Sequence, residues 1–108
     1  MTGSTAQDTE EGRIPVTGEM TIYTAAEQKT QLIGHLEHAP ELALDLSGVS
    51  EFDGAGLQLL LALRAEAERQ GRGFRVVDPS AAVVEVLDLL DVHALFGHPT
   101  QATDEARP

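Results

Sequence analysis

The chain has no cysteine and no tryptophan, and its aromatics are one tyrosine and three phenylalanines in 108 residues. Without cysteine there is neither a disulfide framework nor a thiolate metal site. A chain of this length must then rest on one hydrophobic core. With so few aromatics, that core is expected to be built mainly from Leu, Val, Ile and Ala. No stretch approaches the about 20 consecutive apolar residues that span a bilayer. The N-terminus lacks the basic and then apolar pattern of a secretory signal. A cytoplasmic location, without direct membrane insertion, is the expectation. Positive charge is scarce as well: 7 Lys and Arg stand against 18 Asp and Glu, a net charge of -11. Phosphate contacts need clustered Lys and Arg, so no nucleic-acid partner is expected.

The acidity is not confined to the ends. Residues 1–12 carry -3, residues 99–108 carry -1, and residues 13–98 carry -7. Such a balance favours solubility and a basic partner surface without identifying one. Residues 1–12 and 99–108 are polar, acidic and without apolar periodicity, and are expected to be disordered tails. Residues 13–98 are expected to form one domain.

Within that domain strands and helices alternate. Ile14-Pro15-Val16 and Met20-Thr21-Ile22-Tyr23 flank Thr17-Gly18-Glu19, which fits one interrupted strand or two short ones, with Pro15 favouring an edge. Thr24-Ala25-Ala26-Glu27 matches a capping box, followed by a helix with Leu32, Ile33 and Leu36 on one face and ended by Pro40. Leu42 to Leu46 is a short apolar run bounded by Pro40 and Ser47-Gly48, and reads as an interior strand. Val49 to Phe52 leads into Asp53-Gly54-Ala55-Gly56, where a second helix opens and runs to Gly71–Gly73. Phe74 to Val77 is a strand. Asp78 is placed to cap a third helix with Pro79 at its first position. Val83, Val86, Leu87 and Leu90 give that helix its stripe, and 91–96 extend it by a short turn. This alternation implies an α/β fold with a mixed, largely parallel sheet of four to five strands and helices packed on it. In such sheets ligands gather at the carboxyl ends of the strands. Here those loops are Tyr23-Thr24, Asp53 to Gly56 and Asp78 to Ser80.

Asp53-Gly54-Ala55-Gly56 sets three small residues at a helix start, where another surface can approach exposed backbone N–H groups. Equally, Asp53 can simply cap the helix while the glycines ease a tight turn, and spacing alone favours this second reading. The run from Leu57 to Leu63 is wider than one amphipathic stripe. It fits a helix buried on the sheet, or one whose Gln58, Leu59 and Leu63 leave an apolar outer patch for a partner or a homodimer. His35 and His38 share a helix face but have no carboxylate partners nearby, so solvation outweighs metal binding. His93 and His98 flank Phe96 and read as surface or packing residues. Ser47, Ser50 and Ser80 lack the context of a nucleophile. Arg64, Arg69, Arg72 and Arg75 make a basic spot that Glu66 and Glu68 dilute. No catalytic residue, metal or cofactor is expected.

The run Leu44-Asp45-Leu46-Ser47-Gly48-Val49-Ser50-Glu51-Phe52-Asp53-Gly54-Ala55-Gly56-Leu57 resembles the central signature of STAS domains. In that family an Asp-Leu-Ser-Gly-Val strand precedes a turn of the form Asp-Ser/Thr-Ser/Thr/Ala-Gly-Leu. Thr17 to Ile22 is similar to the family's early Gly-Glu-Leu strand, and Asp78 to Leu90 to its third helix. The resemblance spans residues 13 to 96. It implies a non-catalytic protein-binding module related to antagonists of kinase-type anti-sigma factors, to chemotaxis-linked adaptors and to small subunits of lipid-transporting ABC systems. In the antagonists, the hydroxyl residue directly after the aspartate accepts a phosphoryl group that switches binding off. Gly54 holds that position here, and Ala55 follows, so the usual switch is expected to be absent.

The phrase from Asp53 to Leu60 resembles the stand-alone, chemotaxis-associated type. The expected partner is therefore a GHKL-type kinase or a chemotaxis signalling protein, with an ABC ATPase of a lipid transporter as the alternative. The expected contact residues are Tyr23, Thr24, Asp53, Gly54, Ala55, Gly56, Gln58, Asp78 and Ser80. A receiver domain is the other fold with similar features, through Asp45 and Asp53-Gly54. It needs an acidic pair after the first strand and a late lysine, whereas Glu10 and Glu11 precede that strand and the one lysine is Lys29.

Overall fold

A computed structural model of the protein describes residues 13–92. In chain order the elements are β1 (Arg13–Met20), α1 (Ala25–Leu36), β2 (Glu41–Phe52), α2 (Gly54–Gln70), β3 (Gly73–Val77) and α3 (Ala81–Leu90). The strands form one sheet in the order β1-β2-β3, and both pairs are parallel. Each crossover carries a helix, as a parallel sheet requires.

The expected mixed sheet of four to five strands is therefore corrected to three parallel strands among the described residues. Two apparent breaks are not breaks. Thr17-Gly18-Glu19 bulges instead of turning: the register against β2 shifts between Pro15 and Thr17 and again between Gly18 and Glu19, and Gly18 takes φ +84°. That left-handed conformation suits glycine and lets β1 continue to Met20. Ser47-Gly48 likewise stays inside β2, which runs twelve residues. The Ser47 N–H and hydroxyl donate to Asp45 Oδ1 at 3.0 and 2.7 Å, a local turn-like pairing absorbed within the strand. Thr21 to Tyr23, expected as strand, is a turn in which the Thr24 N–H donates to Thr21 O at 2.9 Å.

β2 is the central strand. Leu42, Leu44 and Leu46 on one side and Ala43 on the other are all buried, so both faces of the sheet are covered there. α3 packs on β2, and α1 lies beside α2. The core is aliphatic as expected, with Met20 added to it and Phe52 and Phe74 only partly buried against it. Leu57, Leu59, Leu60 and Leu63 are all buried in α2, which fits the buried helix and not the outer patch of Leu59 and Leu63. Gln58 stays exposed.

Helix ends depart from expectation in two places. Thr24 stands at the N-cap of α1 without capping it through its side chain, so the capping box with Glu27 does not form. Its hydroxyl turns backward instead, accepting from Thr21 N at 3.0 Å and donating to Glu19 O at 3.1 Å. Ser80, not Asp78, caps α3: its Oγ accepts from Val83 N at 3.3 Å, while Asp78 sits in the preceding turn at φ +49°. Of the α3 stripe, Val83 and Leu87 are fully buried, and Leu90 is exposed. The expected tails, the short turn over 91–96 beyond Val92, and both His93 and His98 lie outside the described residues.

Candidate functional site

The site is built on Asp53. Its extended backbone (φ -131°, ψ -168°) ends β2 and starts α2, and Oδ1 accepts from the N–H groups of Ala55 and Gly56 at 2.9 and 3.1 Å. This is a helix cap, as spacing alone indicated. The second carboxylate oxygen does something the sequence did not indicate. Oδ2 accepts from the Ile22 N–H at 3.2 Å, across 31 residues of chain. One carboxylate thus fastens the turn after β1 to the start of α2. Partial removal from water pushes the Asp53 carboxyl up, but the N–H groups of Ile22, Gly56 and Ala55 outweigh that and hold it below its ordinary value.

The turn so fastened is ordered from within. The Thr21 hydroxyl donates to Glu19 Oε1 at 2.8 Å and accepts from Tyr23 N at 3.2 Å. The Gln28 amide reaches back from α1 to Glu19 O at 2.8 Å. With its backbone committed, the turn aims two large side chains outward: Ile22 is 71% exposed and Tyr23 is 88% exposed. Ile22 is a candidate that sequence reasoning missed, because after Met20 and Thr21 it reads as one more strand residue. The signal available was Thr21 and Thr24 three apart, a spacing at which hydroxyls form turns.

Gly54 is exposed, and a Cβ there would meet nothing within 4 Å. Its lack of a side chain is therefore not imposed by packing. Gly56 is the opposite case: a Cβ there would lie 2.4 Å from Met20 O and 2.8 Å from the Phe52 ring. The small residues of the turn serve different ends. The N–H groups of Ala55 and Gly56 are taken by Asp53, so those two N–H groups do not form an open anion cradle.

Between α1 and α2, next to this turn, runs an open groove of about 440 Å³ lined by Ile22, Ala25, Ala26, Lys29, Ala55, Gln58, Leu59 and Ala62. Of the expected site residues, Ala55 and Gln58 line this groove, while the Asp53 carboxylate ties the turn that carries Tyr23 and Thr24 to the helix start at Gly54, Ala55 and Gly56 beside it. Asp78 and Ser80 stand apart from both. The Ser80 N–H donates to Leu46 O, and β3 ends where Val77 pairs with Asp45. β2 runs on from Leu46 to Phe52, up to about 20 Å of strand at about 3.3 Å per residue, before Asp53 is reached.

The arginines form no open basic spot. Arg64 pairs with Glu68 at 3.4 Å, Arg69 with Glu66, and Arg75 with Glu41 at 3.0 Å, while Arg72 donates to Ala39 O at 2.6 Å. The Arg69 hydrogen bond, helped by Gln70 and by the charges of Arg69 and Lys29, holds the Glu66 carboxyl at about 2. Nδ1 of His38 lies 2.8 Å from Gly34 O, a contact that occupies it as a donor. Among the described residues no three His, Asp or Glu side chains are grouped to hold a metal. Nor, among them, is any helix long and apolar enough to cross a membrane.

These features define a parallel α/β domain whose strand-to-helix edge is organised round one capping aspartate. The family described as "Mlab, STAS domain" matches residues 4–97, and the chain belongs to the STAS domain family. Among solved structures it is similar to the anti-sigma factor antagonist SpoIIAA in its unphosphorylated form. The TM-score is 0.66 and the identity 18%, over 88% of this chain and 86% of that one. At that identity the likeness is one of fold.

Proposed function

We propose that this chain is a non-catalytic regulatory docking module, and that its contact surface is the edge formed by Ile22, Tyr23, Thr24, Asp53, Gly54, Ala55, Gly56 and Gln58. The observation that carries this reading is the triple use of the Asp53 carboxylate, which fixes two loops 31 residues apart so that Ile22, Tyr23 and Gly54 face outward together. Fixing exposed apolar groups before contact lowers the ordering cost of binding. The partner in this reading is a kinase-type anti-sigma factor or a chemotaxis signalling protein. With Gly54 at the position that carries a hydroxyl in the antagonists, docking is constitutive with respect to phosphorylation at this turn.

Gly54→Asp tests the surface. The space is open, so the variant folds, and it adds one negative charge where a phosphoryl group would add about -1.5 to -2. Affinity for the purified partner, measured by calorimetry, is expected to fall by about tenfold. Unchanged affinity would remove the turn from the interface. A second reading is an accessory subunit that binds the ATPase of a lipid-transporting ABC system, the other class of partner that the STAS resemblance implies. Specific recovery of an ABC ATPase by the tagged chain, and of no kinase, would decide for it.

A further inference from the structure

We infer that the groove between α1 and α2 receives a short amphipathic helix of the partner, with apolar residues on the alanine floor and a carboxylate on Lys29. The inference rests on the docking reading above and names the chemistry that this surface selects. Two independent observations carry it, one of shape and one of charge.

The shape is that of a helix seat. On α2 the wall is Ala55, Gln58, Leu59 and Ala62, an i, i+3, i+4, i+7 stripe about 10 Å long, or two turns. On α1 it is Ala25, Ala26 and Lys29, one turn of the facing helix. The four alanines let a third helix approach both backbones closely, and ridges of larger side chains on that helix fill the space they leave. Ile22 stands at one end of the groove, presented by the turn that Asp53 fastens.

The charge is singular. Lys29 is the one charged residue lining the groove. Among the described residues it is also the one cation without a partner: each arginine is paired with a carboxylate or, for Arg72, bound to a carbonyl. Glu66 feels the Lys29 charge, but its carboxylate is already held by Arg69 and Gln70. In a chain of net charge -11, carboxylates of a partner are repelled elsewhere on the surface. At this groove, alone among the described residues, one of them finds an unpaired cation beside apolar surface, which fixes the register of the bound helix.

The test uses two synthetic helical peptides of identical apolar face, one flanked by glutamates and one by lysines, titrated into the ¹⁵N-labelled full chain. The glutamate peptide is expected to shift the amides of Ala25, Ala26, Lys29, Ala55, Gln58 and Ala62. It should bind about tenfold tighter than the lysine peptide, and Lys29→Glu should reverse that order. Lys29 is exposed, and an unchanged spectrum outside the groove checks that the variant folds. Absence of groove shifts with either peptide, or a preference that ignores Lys29→Glu, overturns the inference. Shifts of the same amides on concentrating the chain alone also overturn it, by assigning the groove to a second copy. The cognate partner separates this failure from that of the docking reading. If Ile22→Asp abolishes its binding while Lys29→Glu leaves it unchanged, docking at this edge stands and the acidic helix falls. If neither substitution changes it, both fall.

Discussion

Gly56→Ala is expected to cost about 3 kcal/mol or more, enough to remove a large part of the stability of a domain this size. The added methyl would sit 2.4 Å from Met20 O and 2.8 to 2.9 Å from two atoms of the Phe52 ring. The ring can rotate; the carbonyl cannot. Met20 is fully buried, pairs with Phe52 in the β1–β2 ladder, and its carbonyl accepts from the Asp53 N–H at 3.4 Å. Relief therefore requires α2 to lift off the end of the sheet, which pulls Ala55 and Gly56 away from the carboxylate that caps them. Gly54→Ala is the control two residues away. Its Cβ meets nothing within 4 Å, and trading glycine for alanine at a helical position it can adopt stabilises by about 0.4–1 kcal/mol. Thermal melts of the two variants should diverge, with Gly56→Ala down by about 12 °C or more and Gly54→Ala level or slightly up. A Gly56→Ala melt within a few degrees of the Gly54→Ala melt would show that α2 is not seated against Met20 as described.

The contrast between these two glycines marks where sequence reading stops. Asp-Gly-Ala-Gly announces a tight helix start, but nothing local says which small residue is buried and which is open. That is decided by Met20 and Phe52, one of them on another strand. The same holds for the strand count. Gly18 and Ser47-Gly48 are genuine local turn signals, yet pairing across β1 and β2 absorbs them as a bulge and a strand-internal bond. Element order, the parallel β/α alternation and the aliphatic core were legible because they rest on periodicity. The separation of Asp78 and Ser80 from the Asp53 edge was not, because it depends on β2 outrunning β3, twelve residues against five. Apolar runs in the sequence do not give strand lengths once a bulge has merged two of them.

In the proposed docking reading, the exposed pair Ile22 and Tyr23 is a contact prepared without a rigid element under it. The turn that bears them is neither helix nor strand, and its order comes from Thr21, Thr24, Gln28 and Asp53 acting on backbone groups. Such a turn is held by enthalpy at a few named atoms, so single substitutions should separate its order from the stability of the domain. Asp53 allows that separation because its two oxygens serve different elements.

Asp53→Ala removes both functions: the melting temperature is expected to fall by roughly 5–12 °C from the lost cap, and binding of the partner to weaken. Asp53→Asn divides them. An asparagine oxygen still accepts from Ala55 and Gly56, and asparagine caps helices about as well as aspartate. Its amide nitrogen, though, would face the Ile22 N–H, donor against donor, so the fastening of the turn is lost while the cap remains. The Asn variant should therefore melt within about 3 °C of the wild type, yet show faster amide exchange at Ile22 and Tyr23 and bind the partner nearly as weakly as the Ala variant. Acid gives the same division a second readout. The Asp53 carboxyl is depressed in the folded state, so its contribution is complete above the ordinary carboxylate value and is lost as pH falls through the depressed one. Both variants lack that acid-dependent component, so the wild type should lose more of its stability than either between neutral pH and about pH 3. Equal melting temperatures for Asp53→Asn and Asp53→Ala would mean that the cap contributes nothing by itself. Ile22 exchange in Asp53→Asn as slow as in the wild type would mean that the turn is ordered without Asp53, and the docking edge would then need another source for its shape.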